Sequence, residues 1–233
     1  MKKKHISWSI WIIILIVTLF FISLFSLFVG SASITVKQII AGLLKGGRGT
    51  EYSIVFSIRL PRILLGMSIG GSLSLAGVIL QSLFRNPLVE PYTLGISGGA
   101  ALGVCLNIVF GLNVIFGSIS MFVFGFTGAL CVIALIYTLS MRKGIINIQG
   151  VLLTGVMLSF ISSSIIMLLM SVSRTEDIHK ILFWIMGSLE EPDWIFIKLS
   201  LIFAFAGLLM SYMFCWRLNA LSLGEEDALH LGI

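Results

Sequence analysis

Apolar residues in this chain run in long unbroken blocks. They neither alternate nor keep to one stripe of a helix. Six blocks are long enough to matter, at roughly 7–29, 61–83, 93–112, 115–140, 150–171 and 194–216. About 20 mostly apolar residues cross the hydrocarbon core of a bilayer as a helix. Backbone groups in lipid must find their partners within the segment, so continuous blocks predict helices, whereas a barrel would need alternation. The pattern therefore predicts an all-α polytopic membrane protein with about six transmembrane helices, read as one membrane domain over 1–233. The connections are punctuated. Residues 31–60 are polar around KGGRGT, FRNPLVEPY (84–92) carries Pro87 and Pro91, and MRKGIINIQG (141–150) is a short basic turn. Residues 171–194 are too polar to span, yet Ile178, Ile181, Leu182 and Ile185 recur at helical spacing, which predicts a short amphipathic helix at the membrane edge.

Composition sharpens this picture. Hydrophobic residues make up 58% of the chain and charged residues 11%, where a soluble domain runs near a quarter charged. The net charge of +5 is not gathered into a basic stripe with an aromatic platform, so nucleic-acid binding is not expected. Cys105, Cys131 and Cys215 lie inside apolar blocks and His5, His179 and His230 are scattered. Neither set has ligand spacing, and no metal or cofactor is predicted. Neither GxxxxGK[ST] nor HExxH occurs, so no enzyme is expected. The first block is too long for the apolar core of a cleaved signal peptide. With the N-terminus inside, the inner segments hold Lys2, Lys3, Lys4, Arg85, Arg142, Lys143 and Arg217. The outer ones hold Lys37, Lys45, Arg48, Arg59, Arg62, Arg174, Lys180 and Lys198, so the positive-inside comparison is near a tie. The lysine cluster before the first block favours a cytoplasmic N-terminus.

Candidate chemistry concentrates in RLPRILLGMSIGGSLSLAGVILQSLFRNPLVEPYTLGISGGAALG, residues 59–103. Pro61 suits the first turn of a helix, where its missing N–H is harmless. Arg59 and Arg62, three apart, share a side if that turn is helical. Two readings stay open for them: snorkelling at the interface, or docking of acidic groups on another protein. Gly66 and Gly70, and then Gly95, Gly99 and Gly103, are spaced for close helix packing.

This stretch resembles the FecCD/BtuC-like permease subunits of binding-protein-dependent ABC importers for iron-siderophores, haem and vitamin B12. The resemblance rests on Arg59–Arg62, Gln81, Asn86–Leu88, Pro91, Leu94–Gly95, Ser97 and Gly99–Ala100. It continues at Trp184, Met186, Gly187 and Ser188, and in the tail LNALSLGEEDALHLG. It implies part of a ten-helix permease working by ATP-driven alternating access. The implied partners are separate ATP-binding ABC subunits, an extracytoplasmic substrate-binding protein and a second permease subunit, in a bacterial cytoplasmic membrane. It makes Arg59 and Arg62 docking residues for the binding protein and puts a cytoplasmic gate at Asn147 and Ile148. Because such permeases have about ten spans, it also implies C-terminal truncation, and a 233-residue chain that does not transport alone.

The tail itself reads as a short helix. Ser222 and Glu225 have the S-x-x-E spacing of a capping box, with Glu225, Glu226 and Asp227 in a first turn that favours negative charge. The resemblance makes this the start of the coupling helix from residue 218 on, with ATPase contacts at Gly224, Glu225, Ala228, Leu231 and Gly232. Leu229 departs from the family, which often has a basic residue there. The rivals are an ion-coupled secondary transporter, which needs ionisable residues in mid-span that these blocks lack, and a non-transporting membrane assembly subunit. A cytosolic tail is directly testable. With the three native cysteines replaced, Ala228→Cys should react with a membrane-impermeant maleimide only after cells are permeabilised. Labelling in intact cells would put the tail outside and remove it from reach of any ATPase.

Overall fold

The computed structural model describes residues 2–30, 35, 37–38, 49–117, 119–142, 145–146, 148–190, 193–224 and 230. The architecture is helical. In chain order the helices are α1 (Lys2–Phe28), α2 (Thr50–Phe84), α3 (Ile96–Val109), α4 (Leu112–Phe116), α5 (Ile119–Ser140), α6 (Ile148–Val172), α7 (Thr175–Met186), α8 (Trp194–Met213) and α9 (Cys215–Leu223). Between α5 and α6, Met141–Arg142 and Ile145–Ile146 pair as a two-residue antiparallel ladder, Met141 opposite Ile146. Among the described residues five helices are long and apolar enough to cross a membrane, namely α2, α5, α6 and α8 in full and Trp8–Phe28 of α1.

Two expectations change. The block at 93–112 becomes a shorter helix, α3, of 14 residues, about 21 Å long at 1.5 Å per residue, against a core of about 30 Å. Pro91 opens a 3-10 turn, Pro91–Leu94, and Gly95 follows at φ 70°, so the regular helix starts only at Ile96. The second block begins earlier than expected, at Thr50 rather than near 61, so Pro61 lies inside a 35-residue helix and not in its first turn. A proline there lacks an N–H, and its ring presses on the carbonyl four residues back. The helix accommodates it with a π-helical turn, Val55–Arg59, immediately before. In it the Leu60 N–H reaches back five residues to the Val55 carbonyl.

The chain divides into two compact units, each described by itself. One comprises residues 1–71 and 189–206, the other 72–188 and 207–233. In the second unit α3 is the central element and packs against α5, α6 and α7. Val104, Cys105 and Ile108 of α3, Ile166 of α6 and Ile181 of α7 form its apolar core. Ile181 is the buried position of the amphipathic α7, while Leu182 and Ile185 are exposed. Glycine sets the α3–α5 distance. A Cβ at Gly99 would strike the Gly128 carbonyl and Val132, one at Gly103 the Phe124 carbonyl, and one at Gly128 the Gly99 carbonyl. Gly95 meets α6 in the same way, with a Cβ there lying 2.5 Å from the Gly155 carbonyl. Gly66 and Gly70 meet no such neighbour: a Cβ at Gly66 reaches Leu189 only at 3.8 Å, and Gly70 has open space.

One buried polar pair crosses the α3–α5 seam. Ser120 Oγ lies 3.3 Å from Oδ1 of the fully buried Asn107 and donates to the Gly117 carbonyl at 2.7 Å. Asn107 Nδ2 has no partner among the described residues. A serine hydroxyl has one proton, and the shorter bond to Gly117 takes it. Turning the Asn107 amide over lets Nδ2 donate to Ser120 Oγ and places Oδ1 where Nδ2 now lies.

The glycine seam yields a contrast. Gly103→Ala should destabilise the protein by about 1–3 kcal/mol, because backbone must move. Gly70→Ala should stay within about 0.5 kcal/mol. Thermal unfolding in detergent micelles checks both, and equal effects would refute the seam.

Candidate docking and coupling sites

The arginine pair lies within the first compact unit, together with the end of α1 and the segment leading into α8. Arg59 closes the π turn of α2, is partly buried, and donates from Nη1 to the Leu27 carbonyl at 2.8 Å. Leu27 is in the last turn of α1, where carbonyls have no partner within the helix and the dipole favours a cation. The approach is close because residue 30 is glycine: a Cβ there would lie 2.6 Å from Arg59 Nη2. Arg62, on the α-helical side of Pro61, is exposed and forms an ion pair with Glu190. The turn from Arg59 to Arg62 is helical, with only Leu60 and Pro61 between them, and each guanidinium reaches a different partner. Two further links join this unit internally, Ser23 Oγ to Met67 Sδ at 3.8 Å and a hydrogen bond between the Ser68 and Ser200 hydroxyls.

The second candidate region is the tail. α9 follows α8 almost without a break, since the Phe214 N–H bonds the Met210 carbonyl and the Leu218 N–H bonds the Phe214 carbonyl. Arg217 places its guanidinium 5.5 Å from the Phe214 ring centroid. Ser222 is not the N-cap of a new helix. It lies in the last turn of α9, and its Oγ bonds back to the Asn219 carbonyl at 2.7 Å. That back-bonding is the alternative open to any serine inside a helix. Gly224 ends α9 at φ 142° and is buried. Glu225, Ala228, Leu231 and Gly232 lie outside the described residues, as does Asn147 of the expected gate. Ile148 is the first residue of α6, partly buried, just past the two-residue ladder.

Sequence reasoning missed Glu190 as a partner for Arg62, and Asn107 as a buried polar group. Asn107 carried a signal, as a single carboxamide in an otherwise apolar run. Glu190 carried a weaker one, an acid in GSLEEPDW just before a span. Nothing in the spacing marks Arg59 for a carbonyl 32 residues away.

The sequence profile of the FecCD transport family matches residues 13–233. The chain belongs to the FecCD transport family. This FecCD-family chain is 35% identical over 222 residues to the molybdate import system permease protein MolB of Haemophilus influenzae, covering 89% of the chain and 62% of MolB. It is 36% identical over 184 residues to the hemin transport system permease protein HmuU of Yersinia pestis, covering 78% of the chain and 55% of HmuU. A solved structure described as an inward-facing conformation of a metal-chelate type ABC transporter superposes with a TM-score of 0.77 at 34% identity. That match covers 94% of the chain and 66% of the solved one. The FecCD-family chain thus spans just over half to two thirds of the length of these relatives.

The two arginines should separate in stability measurements. Arg59→Gln removes a charged hydrogen bond to a helix-end carbonyl and should cost about 1.5–3 kcal/mol. Arg62→Gln removes an exposed ion pair and should cost at most about 1 kcal/mol. Denaturant titration in micelles gives both, and a larger loss at Arg62 would contradict the assignment.

Proposed function

We propose that this chain forms part of the membrane passage of an ABC importer in the bacterial cytoplasmic membrane, with its N-terminus in the cytosol. The observation that carries the reading is the family match over residues 13–233. The likeness to a metal-chelate type ABC transporter supports it. ATP hydrolysis belongs to a separate ATP-binding subunit, so this chain contributes movement of helices and not chemistry. A second permease subunit completes the passage, and the whole chain acts as one permease domain.

The proposed mechanism has a docking step and a coupling step. On the outer side, acidic groups of a substrate-binding protein dock at the Arg59–Arg62 region and release substrate above the spans. On the inner side, residues 218–233 enter a groove of the ATP-binding subunit, with Gly224, Glu225, Ala228, Leu231 and Gly232 in contact. Because α9 follows α8 after the single residue Phe214, with backbone bonds from Phe214 to Met210 and from Leu218 to Phe214, a push on the tail moves the span and not a loose loop. The switch between outward- and inward-open states then opens or closes the gate at Asn147 and Ile148.

For the cargo, the expectation of an iron-siderophore, haem or cobalamin widens to take in molybdate. Relatives are named for molybdate, hemin, iron chelate and cobalamin. An oxyanion, a planar macrocycle and a corrinoid share no common set of side-chain contacts. The passage proposed here is accordingly weakly polar and cargo-tolerant, with selection made by the binding protein. Metal-bearing small molecules are the substrate class.

The test is co-purification. The affinity-tagged chain, extracted in mild detergent, should retain the ATP-binding subunit of its import system. Ala228→Asp, which puts a charge into the groove contact, should reduce the retained subunit about tenfold, equivalent to about 1.4 kcal/mol. Wild-type chain that retains none would refute the reading.

A further inference from the structure

The docking reading treats Arg59 and Arg62 as equivalent, and the geometry does not. Arg59 is engaged with the end of α1 through the Leu27 carbonyl at 2.8 Å, with its guanidinium close against Gly30. Withdrawing it would leave an α1 carbonyl without that donor at a helix end. Arg62 is engaged differently. Its side chain is 46% exposed and that of its partner Glu190 is 74% exposed, so both ends of the pair are open to solvent. A carboxylate is also the chemistry that an acidic docking partner would bring. Glu190 therefore occupies Arg62 with the same group, in the same hydrogen-bonding role, that a partner would use.

We infer that Glu190 is a built-in competitor for docking: the Arg62–Glu190 pair covers the docking arginine in the free protein and opens when a partner's carboxylate takes Glu190's place, while Arg59 stays on α1 as a positioning residue. The inference rests on the docking reading above. The exchange is cheap on both sides. An exposed ion pair contributes little and is screened by salt, so a competing carboxylate can take Glu190's place on Arg62. The result is a surface that does not hold stray anions yet yields to a partner presenting several acidic groups at once.

The experiment measures binding of the substrate-binding protein of the same import system to the full chain in lipid nanodiscs, by surface plasmon resonance at about 0.1 M salt. Glu190→Gln should tighten binding about two- to fivefold, the range set by an exposed ion pair. The gain should shrink at high salt and vanish in an Arg62→Gln background, because no guanidinium is left to uncover. Affinity that is unchanged or weaker in Glu190→Gln overturns the competitor and leaves docking intact. A gain that persists in Glu190→Gln/Arg62→Gln also overturns it, since the effect would then be loss of a negative charge in general. No binding by the wild-type chain overturns docking and this inference together.

Discussion

Backbone-to-backbone approach along the α3–α5 seam is the constraint on which the second compact unit depends. In lipid there is no hydrophobic gain from pressing one apolar helix against another, because the tails are as apolar as the side chains. Association must come from dispersion at close range, and close range needs residues without a Cβ at the contact. Gly99, Gly103 and Gly128 supply that, each facing a carbonyl of the opposite helix. Once α3 is held there, its far side meets α6 through Gly95 and Gly155, and Ile181 of α7 closes over Val104, Cys105 and Ile108. A 14-residue helix can be the centre of the unit because neighbours on several sides cover it, not because it is long enough to span.

The seam sets distance, while polar contacts set register. Asn107 and Ser120 lie at one end of the α3–α5 contact, where a carboxamide and a hydroxyl in an apolar setting can be satisfied only by each other or by backbone. In the first unit the Ser68–Ser200 hydrogen bond does the same between α2 and α8. α1 stands apart: none of its membrane-crossing window is buried. Ser23 and Leu27, toward its C-terminal end, bond to α2. An apolar helix needs no burial to be at rest in lipid, so one charged hydrogen bond at its end can fix its height without fixing much else.

The sequence made the helical class plain, because block length is a direct record of bilayer thickness, and α1, α5, α6 and α8 begin and end close to where the blocks do. The amphipathic α7 was legible from four isoleucine and leucine positions. What failed were inferences about ends. The S-x-x-E spacing at Ser222 and Glu225 satisfies the capping rule, yet α9 was already running when it reached Ser222, and a serine inside a helix bonds backward. Block 93–112 took in Gly95 and Gly111, yet these glycines stand at φ 70° and 67° on either side of α3, so the regular helix fills only Ile96–Val109. Of the candidate sites, the residue types were legible and the partners were not. Partners such as Leu27 and Glu190 lie 32 and 128 residues from their arginines, a separation no local pattern encodes.

Pro61 shows how one such local rule propagates. Placed in a first turn it would have been neutral, and Arg59 and Arg62 would have flanked a helix start. Placed in the interior of α2 it needs room, and the π turn over Val55–Arg59 provides it by moving the backbone bond of Leu60 to Val55. Arg59 closes that turn and Arg62 lies one residue beyond the proline. One guanidinium reaches the end of α1 and the other an acid, so identical side chains three residues apart have different surroundings.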